Sequence, residues 1–235
     1  MHVVNIAGVI KTVHAHKPNV SKPSKNTGST ANENAIGSKP WDARISAWLV
    51  TPLVHSPVHP NVLTTIRLIV GVVGALLLAG GSSFNLGAFF IVLSNFLDHT
   101  DGELARMSGK TSQFGHRYDL ASDAIVTVGL FVGLGIGLQD VAGRHAILYG
   151  IVSGIAVAGI FQLRHLIEQR LGKDAIRQPN FAGFEAEDVL YLFPLVTLSD
   201  QQAGFLLAAA IGAPIALVVV IADFVRQSRF SGNPS

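Results

Sequence analysis

Apolar residues come in long blocks rather than in an amphipathic alternation along most of this chain. Residues 61–80, NVLTTIRLIVGVVGALLLAG, would be about 30 Å long as a helix, the thickness of a hydrocarbon core. Similar blocks occupy 84–97, 118–138, 145–163, a shorter stretch at 187–198, and 204–225. The pattern predicts an all-α integral membrane protein with six transmembrane helices in a domain over 58–228. Ahead of it, WDARISAWLVTPL places Ile45, Trp48, Leu49 and Leu53 on one helical side, with Asp42, Arg44 and Ser46 largely off it. Residues 41–57 are therefore expected to hold a juxtamembrane amphipathic helix, with Trp41 and Trp48 at headgroup level and Pro52, Pro57 and Pro60 breaking the chain before it enters the bilayer. Pro214 is expected to kink the last span.

Residues 1–40, rich in Ser, Pro, Asn and Lys, show no periodicity able to bury a core and read as a disordered cytoplasmic tail. The opening MHVVNIAGVI lacks the pattern of a cleaved signal peptide. Residues 229–235 form a short C-terminal tail. Composition agrees with the spans: 49% of the 235 residues are hydrophobic, 14% are charged, and mean hydropathy is +0.44. The absence of cysteine excludes a thiolate nucleophile and zinc–thiolate sites. A formal charge of +2 gives no reason to expect nucleic acid, and the partners expected from the pattern are membrane lipids.

Sorting the cations changes the picture more than counting them. In the six-span arrangement, sixteen of the seventeen Lys and Arg residues fall on the side shared by both termini, and only Arg144 falls opposite. This bias places the shared side in the cytoplasm. Arg67, inside the first span, is expected to snorkel toward that side. Small residues recur every four positions at Gly71, Ala75 and Ala79, at Gly129, Gly133 and Gly137, and at Gly150, Gly154 and Ala158. These ridges fit packing within one chain as well as between two. A homodimer is the expected assembly.

The candidate chemistry lies between the second and third spans, in DHTDGELARMSGKTSQFGHRYDLASD. Asp98, Asp101 and Ala105 share one face of a helix, and Asp119 and Asp123 share a face of the next. Four carboxylates brought together at a membrane boundary repel one another unless cations bind between them, and oxygen-only ligands favour Mg²⁺, Mn²⁺ or Ca²⁺. Gly102 and Ala105 leave room beside the acids, while Arg106 carries a planar fork suited to phosphate. Residues 107–116 read as a polar turn, with His99 and His116 as polar flanking residues or further metal ligands.

The eight residues Asp98, Asp101, Gly102, Ala105, Arg106, Gly115, Asp119 and Asp123 resemble the signature D-x2-D-G-x2-A-R-x8-G-x3-D-x3-D of the CDP-alcohol phosphatidyltransferase family at every fixed position. That resemblance implies transfer of a substituted phosphate from a CDP-alcohol, commonly CDP-diacylglycerol, to an acceptor alcohol with release of CMP, in phospholipid biosynthesis. It also implies two divalent ions, Mg²⁺ or Mn²⁺, on Asp98, Asp101, Asp119 and Asp123, with Asp123 as general base. Gly102, Ala105 and Gly115 would admit the nucleotide, and Arg106 would face its phosphates. PNVLTTIRL resembles the family's opening of this span, which places Asn61 and Thr64 near the nucleotide. The basic run Arg164, Arg170, Lys173 and Arg177 fits either an acceptor phosphate or ordinary positive-inside charge.

Two rival readings are an aspartate-rich membrane prenyltransferase, whose motifs resemble NDxxDxxxD instead, and a cation transporter, which would need acids along a route across the membrane. The expected setting is a bacterial inner membrane with the site at the cytoplasmic face. Single cysteines placed in 107–116 of this cysteine-free chain should react with membrane-impermeant maleimide only after the cytoplasmic side is opened. Labelling from outside intact cells would reverse the orientation.

Overall fold

The computed structural model describes residues 41–171 and 190–231, which contain helices and no strand. Expectations for the 1–40 tail, for Lys173 and Arg177, for 187–189 and for residues 232–235 lie outside them, as do those resting on the side chains of Trp41, Asp42, Arg44 and Arg170. The helices are α1 (Trp41–Val50), α2 (Pro60–Ala79), α3 (Phe84–Ser108), α4 (Gln113–Gly137), α5 (Gln139–Ala142), α6 (His145–Leu171), α7 (Phe193–Leu198) and α8 (Gln202–Ser231). Four of them are long and apolar enough to cross a bilayer, over Pro60–Ala79, Gln113–Gly137, His145–Ile167 and Gln202–Arg226.

The helix boundaries follow local chemistry. Pro60 opens α2 at a position where its missing N–H costs nothing, and His59 Nδ1 accepts from the Asn61 N–H at 3.3 Å. The second apolar block does not end at its aspartates: α3 continues eleven residues beyond Leu97 to Ser108, because nothing in DHTDGELARMS breaks a helix. Gly109, in the left-handed conformation at φ 66°, stops it, and Ser112 caps α4 by accepting from the Gly115 N–H at 2.9 Å. The polar turn is therefore residues 109–112, shorter than the expected 107–116. Lys110 ties this turn down by donating to the carbonyls of Ser56 (2.8 Å) and Val58 (3.1 Å).

α1 packs on α3 through its small residues, with Ser46, Ala47 and Val50 buried and Ile45, Trp48 and Leu49 exposed. α2, α3 and α4 form one tightly packed group, and α6 lies against α4. The small-residue ridges are the seams of this group. A Cβ on Gly133 would collide with the Ala75 carbonyl of α2, one on Gly137 with the Leu78 carbonyl, and one on Gly150 with the Phe131 carbonyl. Below the aspartates the core closes around Leu78, Ile91, Leu130, Phe131, Leu134 and Leu206.

The region expected to form a fifth span differs from the others. Its described part is a short turn at 190–192 and the six-residue α7, about 9 Å long, well short of a bilayer-spanning helix. Leu190 lines a cavity that Asp123 also borders, whereas Phe193 packs on Phe205 with ring centroids 5.5 Å apart. α8 then returns, since Phe205 stacks on Phe131 in the C-terminal half of α4 and Leu217 lies next to Gly159 of α6. α8 runs through Pro214 without interruption and leaves Ile211, Ile215, Val218 and Val219 exposed.

The seam makes a specific demand on Gly133. Gly133→Leu should lower the thermal midpoint in detergent by the equivalent of about 1–3 kcal/mol, as overpacking does elsewhere. Gly212→Leu, where an added Cβ meets nothing within 4 Å, should leave it nearly unchanged. Equal midpoints for both variants would remove the seam from the account.

Candidate active site

Three helices bring the site together. α3 supplies Asp98 and Asp101, α4 supplies Asp119 and Asp123, and α2 supplies Thr64 and Arg67. Close approach is possible because α2 has Gly71 one turn below Arg67. A Cβ there would fall 2.5 Å from Val126 of α4 and 2.8 Å from the Ser94 hydroxyl of α3. That hydroxyl instead donates to the Arg67 carbonyl at 2.8 Å, fixing the backbone that carries the arginine.

Arg67 does not snorkel. Its side chain is 2% exposed and lies among all four motif aspartates. Nη1 contacts Asp123 Oδ1 at 2.6 Å and Asp98 Oδ1 at 3.0 Å, and Nη2 contacts Asp119 Oδ1 at 2.7 Å and the Asp119 carbonyl at 3.0 Å. Nε stands 3.3 Å from Asp101 Oδ2 without the alignment of a hydrogen bond, so both atoms are buried and unsatisfied. A snorkelling cation needs open water within reach, whereas this one is enclosed among four carboxylates.

The four acids are not equivalent. Asp101 is 4% exposed, with the Thr64 side chain in hydrogen-bonding contact with it, while Asp98, Asp119 and Asp123 are 25%, 34% and 36% exposed. Asp98, Asp119 and Asp123 each present an oxygen within 4.8 Å of the others. Hard carboxylate oxygens at this spacing, plus an orphaned buried oxygen on Asp101, fit a divalent cation with oxygen preference.

The remaining expected residues surround this cluster. Asn61 lies against Gly115, where an added Cβ would sit 2.8 Å from its Oδ1, so the first residues of α2 meet the start of α4. Gly102 leaves space crossed by Arg106, whose guanidinium nitrogens lie 3.6 Å from where a Cβ would be. Ala105 is half-buried, and Arg106 is exposed, 3.3 Å from the buried Glu103 carboxylate. The histidines lie at the flanks: His99 stacks on Tyr191, and His116 faces His165 with ring centroids 5.0 Å apart, Gln169 touching both. Neither His99 nor His116 belongs to the oxygen cluster among the described residues. A cavity of about 30 Å³ opens beside Arg67 and Asp123, bordered also by Ser94, Asn95 and Thr127.

The sequence pattern of the CDP-alcohol phosphatidyltransferase family matches residues 57–223, which contain every site residue named above. The chain is 32% identical over 99 residues to the bifunctional IPC transferase and DIPP synthase of Rubrobacter xylanophilus, a stretch covering 40% of this chain and 22% of that protein. It is 33% identical over 96 residues to cholinephosphotransferase 1 of Danio rerio, covering 37% of this chain and 25% of the relative. The matched stretches thus span about a quarter or less of either relative's length. A family match over most of the chain, within which lie the eight motif residues carried by α3 and α4, establishes that this chain belongs to the CDP-alcohol phosphatidyltransferase family.

Proposed function

We propose that this membrane enzyme transfers a substituted phosphate from a CDP-alcohol, CDP-diacylglycerol being the expected donor, to an acceptor alcohol in phospholipid synthesis. The observation that carries the reading is the meeting of Asp98, Asp119 and Asp123 oxygens within 4.8 Å of one another. Asp98, Asp101, Asp119 and Asp123 would hold two divalent ions, Mg²⁺ or Mn²⁺. Such ions, when bound, neutralise a pyrophosphate and stabilise the attacking and leaving oxygens of an in-line displacement.

The chain's own residues supply orientation and proton transfer. The acceptor oxygen attacks the phosphorus that bears the alcohol, the bond from that phosphorus to the CMP oxygen breaks, and CMP leaves with the electron pair. The acceptor's proton passes to Asp123, one of whose oxygens is engaged by Arg67 while the partly exposed carboxylate remains accessible. Gly102, Ala105 and Gly115 leave space for the nucleotide, Asn61 and Thr64 border it from α2, and Arg106 reaches across Gly102 toward its phosphates.

Six crossings account for the path, with 190–198 completing the descent in place of a long fifth helix and α1 lying in the interface on its exposed Trp48 face. On this reading the aspartates face the cytoplasm, the side to which sixteen of the seventeen Lys and Arg residues sort in the six-span arrangement. The exposed apolar faces leave room for a homodimer. Family membership favours this reading over a prenyltransferase, and clustering of the acids at one end of the bundle disfavours a transporter.

Mass spectrometry of proteoliposomes given CDP-diacylglycerol, Mg²⁺ or Mn²⁺ and a panel of acceptor alcohols should detect a new phospholipid and CMP. Turnover of a prenyl diphosphate instead would overturn the proposal. Asn at 98, 101 or 119 should reduce turnover by more than the 10–100-fold that is roughly typical of losing an outer-shell partner. Asp123→Asn should slow single turnover by about 10²–10⁴-fold while changing donor affinity less. Parallel loss of affinity and rate, both restored by extra metal, would make Asp123 a ligand only.

A further inference from the structure

Arg67 enters the chemistry above only as a contact of Asp123, yet it is the most completely enclosed charge in the described structure. The four carboxylates crowd together, and among the described residues the enclosed cation in contact with them is this guanidinium. It takes one oxygen from each acid: Oδ1 of Asp98, Asp119 and Asp123, and Oδ2 of Asp101. Three of these acids form the candidate metal cluster. A guanidinium and divalent cations would therefore share three carboxylates.

We infer that Arg67 is a positioning residue that gathers the four carboxylates and competes with divalent ions for them, giving up contacts as ions load. The inference rests on the metal reading and adds a competitor to it. Geometry supports a handover. The bonds are uneven, since Nη1 and Nη2 make short contacts whereas Nε and Asp101 Oδ2 remain unsatisfied at 3.3 Å. Space is also at hand, because the cavity beside Asp123 borders Arg67 and is lined by Ser94, Asn95 and Thr127. The backbone stays in place throughout, held by the Ser94 hydroxyl and by the close packing at Gly71.

The sign of the effect follows from charge. Without Arg67 the crowded acids lose the guanidinium that contacts each of them, so the fold weakens when no divalent ion is supplied. Divalent ions meanwhile lose both a competitor for oxygens and a positive neighbour a few ångström away, so they bind more tightly. Folding stability and metal affinity should thus move in opposite directions, which a residue with a packing role alone would not produce.

The test uses the full chain in detergent at pH 8, comparing wild type, Arg67→Gln and Arg67→Lys, with Arg144→Gln as a cation at the opposite end. Melting is followed with EDTA or with MnCl₂, and Mn²⁺ binding is titrated by electron paramagnetic resonance. Arg67→Gln should melt at least about 5 °C below wild type in EDTA, show a larger Mn²⁺-induced rise, and bind Mn²⁺ about tenfold or more tightly. Arg67→Lys, which keeps charge but lacks the fork, should fall between the two, and Arg144→Gln should match wild type. Recovery of Arg67→Gln only when Mn²⁺ is present throughout purification is the same result in stronger form. Should it not be recovered at all, Arg67→Lys decides, and Mn²⁺ affinity no higher than wild type overturns the inference. If wild type binds Mn²⁺ but Arg67→Gln binds it equally or more weakly, or melts like wild type in EDTA, the inference alone falls. If no form binds Mn²⁺, the metal reading falls with it.

Discussion

Four aspartates within reach of one another inside a helical bundle is the constraint from which the rest of this structure follows. Like charges at such distances in a poorly hydrated setting repel strongly, and burial of each unpaired carboxylate adds its own penalty. The bundle meets that demand in two ways. Glycine seams let α2 reach the two aspartate-bearing helices, so that a single guanidinium contacts every acid. Unequal exposure then leaves Asp119 and Asp123 open enough for small ligands, while Asp101 is sealed beneath them.

Much of this was legible in the residues. The apolar block lengths identify the long helices, and the spacing of Asp98, Asp101, Asp119 and Asp123 places two acids on a common face of each of two successive helices. Convergence of those faces is what the structure adds. Arg67 was the chief omission, because a long side chain seven residues into a span was read as reaching back to water. The signal was present: an ionisable residue inside a membrane helix of a chain rich in clustered acids calls first for a named partner. Snorkelling applies when no such partner is near.

Other differences have equally local causes. α3 outlasts its apolar block because helix length depends on backbone-compatible residues, and Gly109, rather than the first charge, ends it. Block length also overstates the stretch at 187–198, where the described helix is only Phe193–Leu198. Hydropathy registers apolar composition but not whether a segment covers its depth as helix or as a looser descent. The small-residue ridges could not assign their own partners from sequence, since a GxxxG face is indifferent to whether its neighbour is the same chain. In this fold α2, α4 and α6 use them on one another.

On the proposals made above, one group of carboxylates would stand at the centre of both stability and chemistry, with Arg67 and divalent ions as alternative partners. The most direct measurement is anomalous diffraction from crystals grown with Mn²⁺ and CDP. The expected result is manganese peaks about 2.1 Å from carboxylate oxygens of Asp98, Asp119 and Asp123, with Arg67 contacting fewer of the acids than the four it touches here. Manganese bound elsewhere, or no manganese in the cluster while Arg67 keeps all four carboxylates, would contradict it.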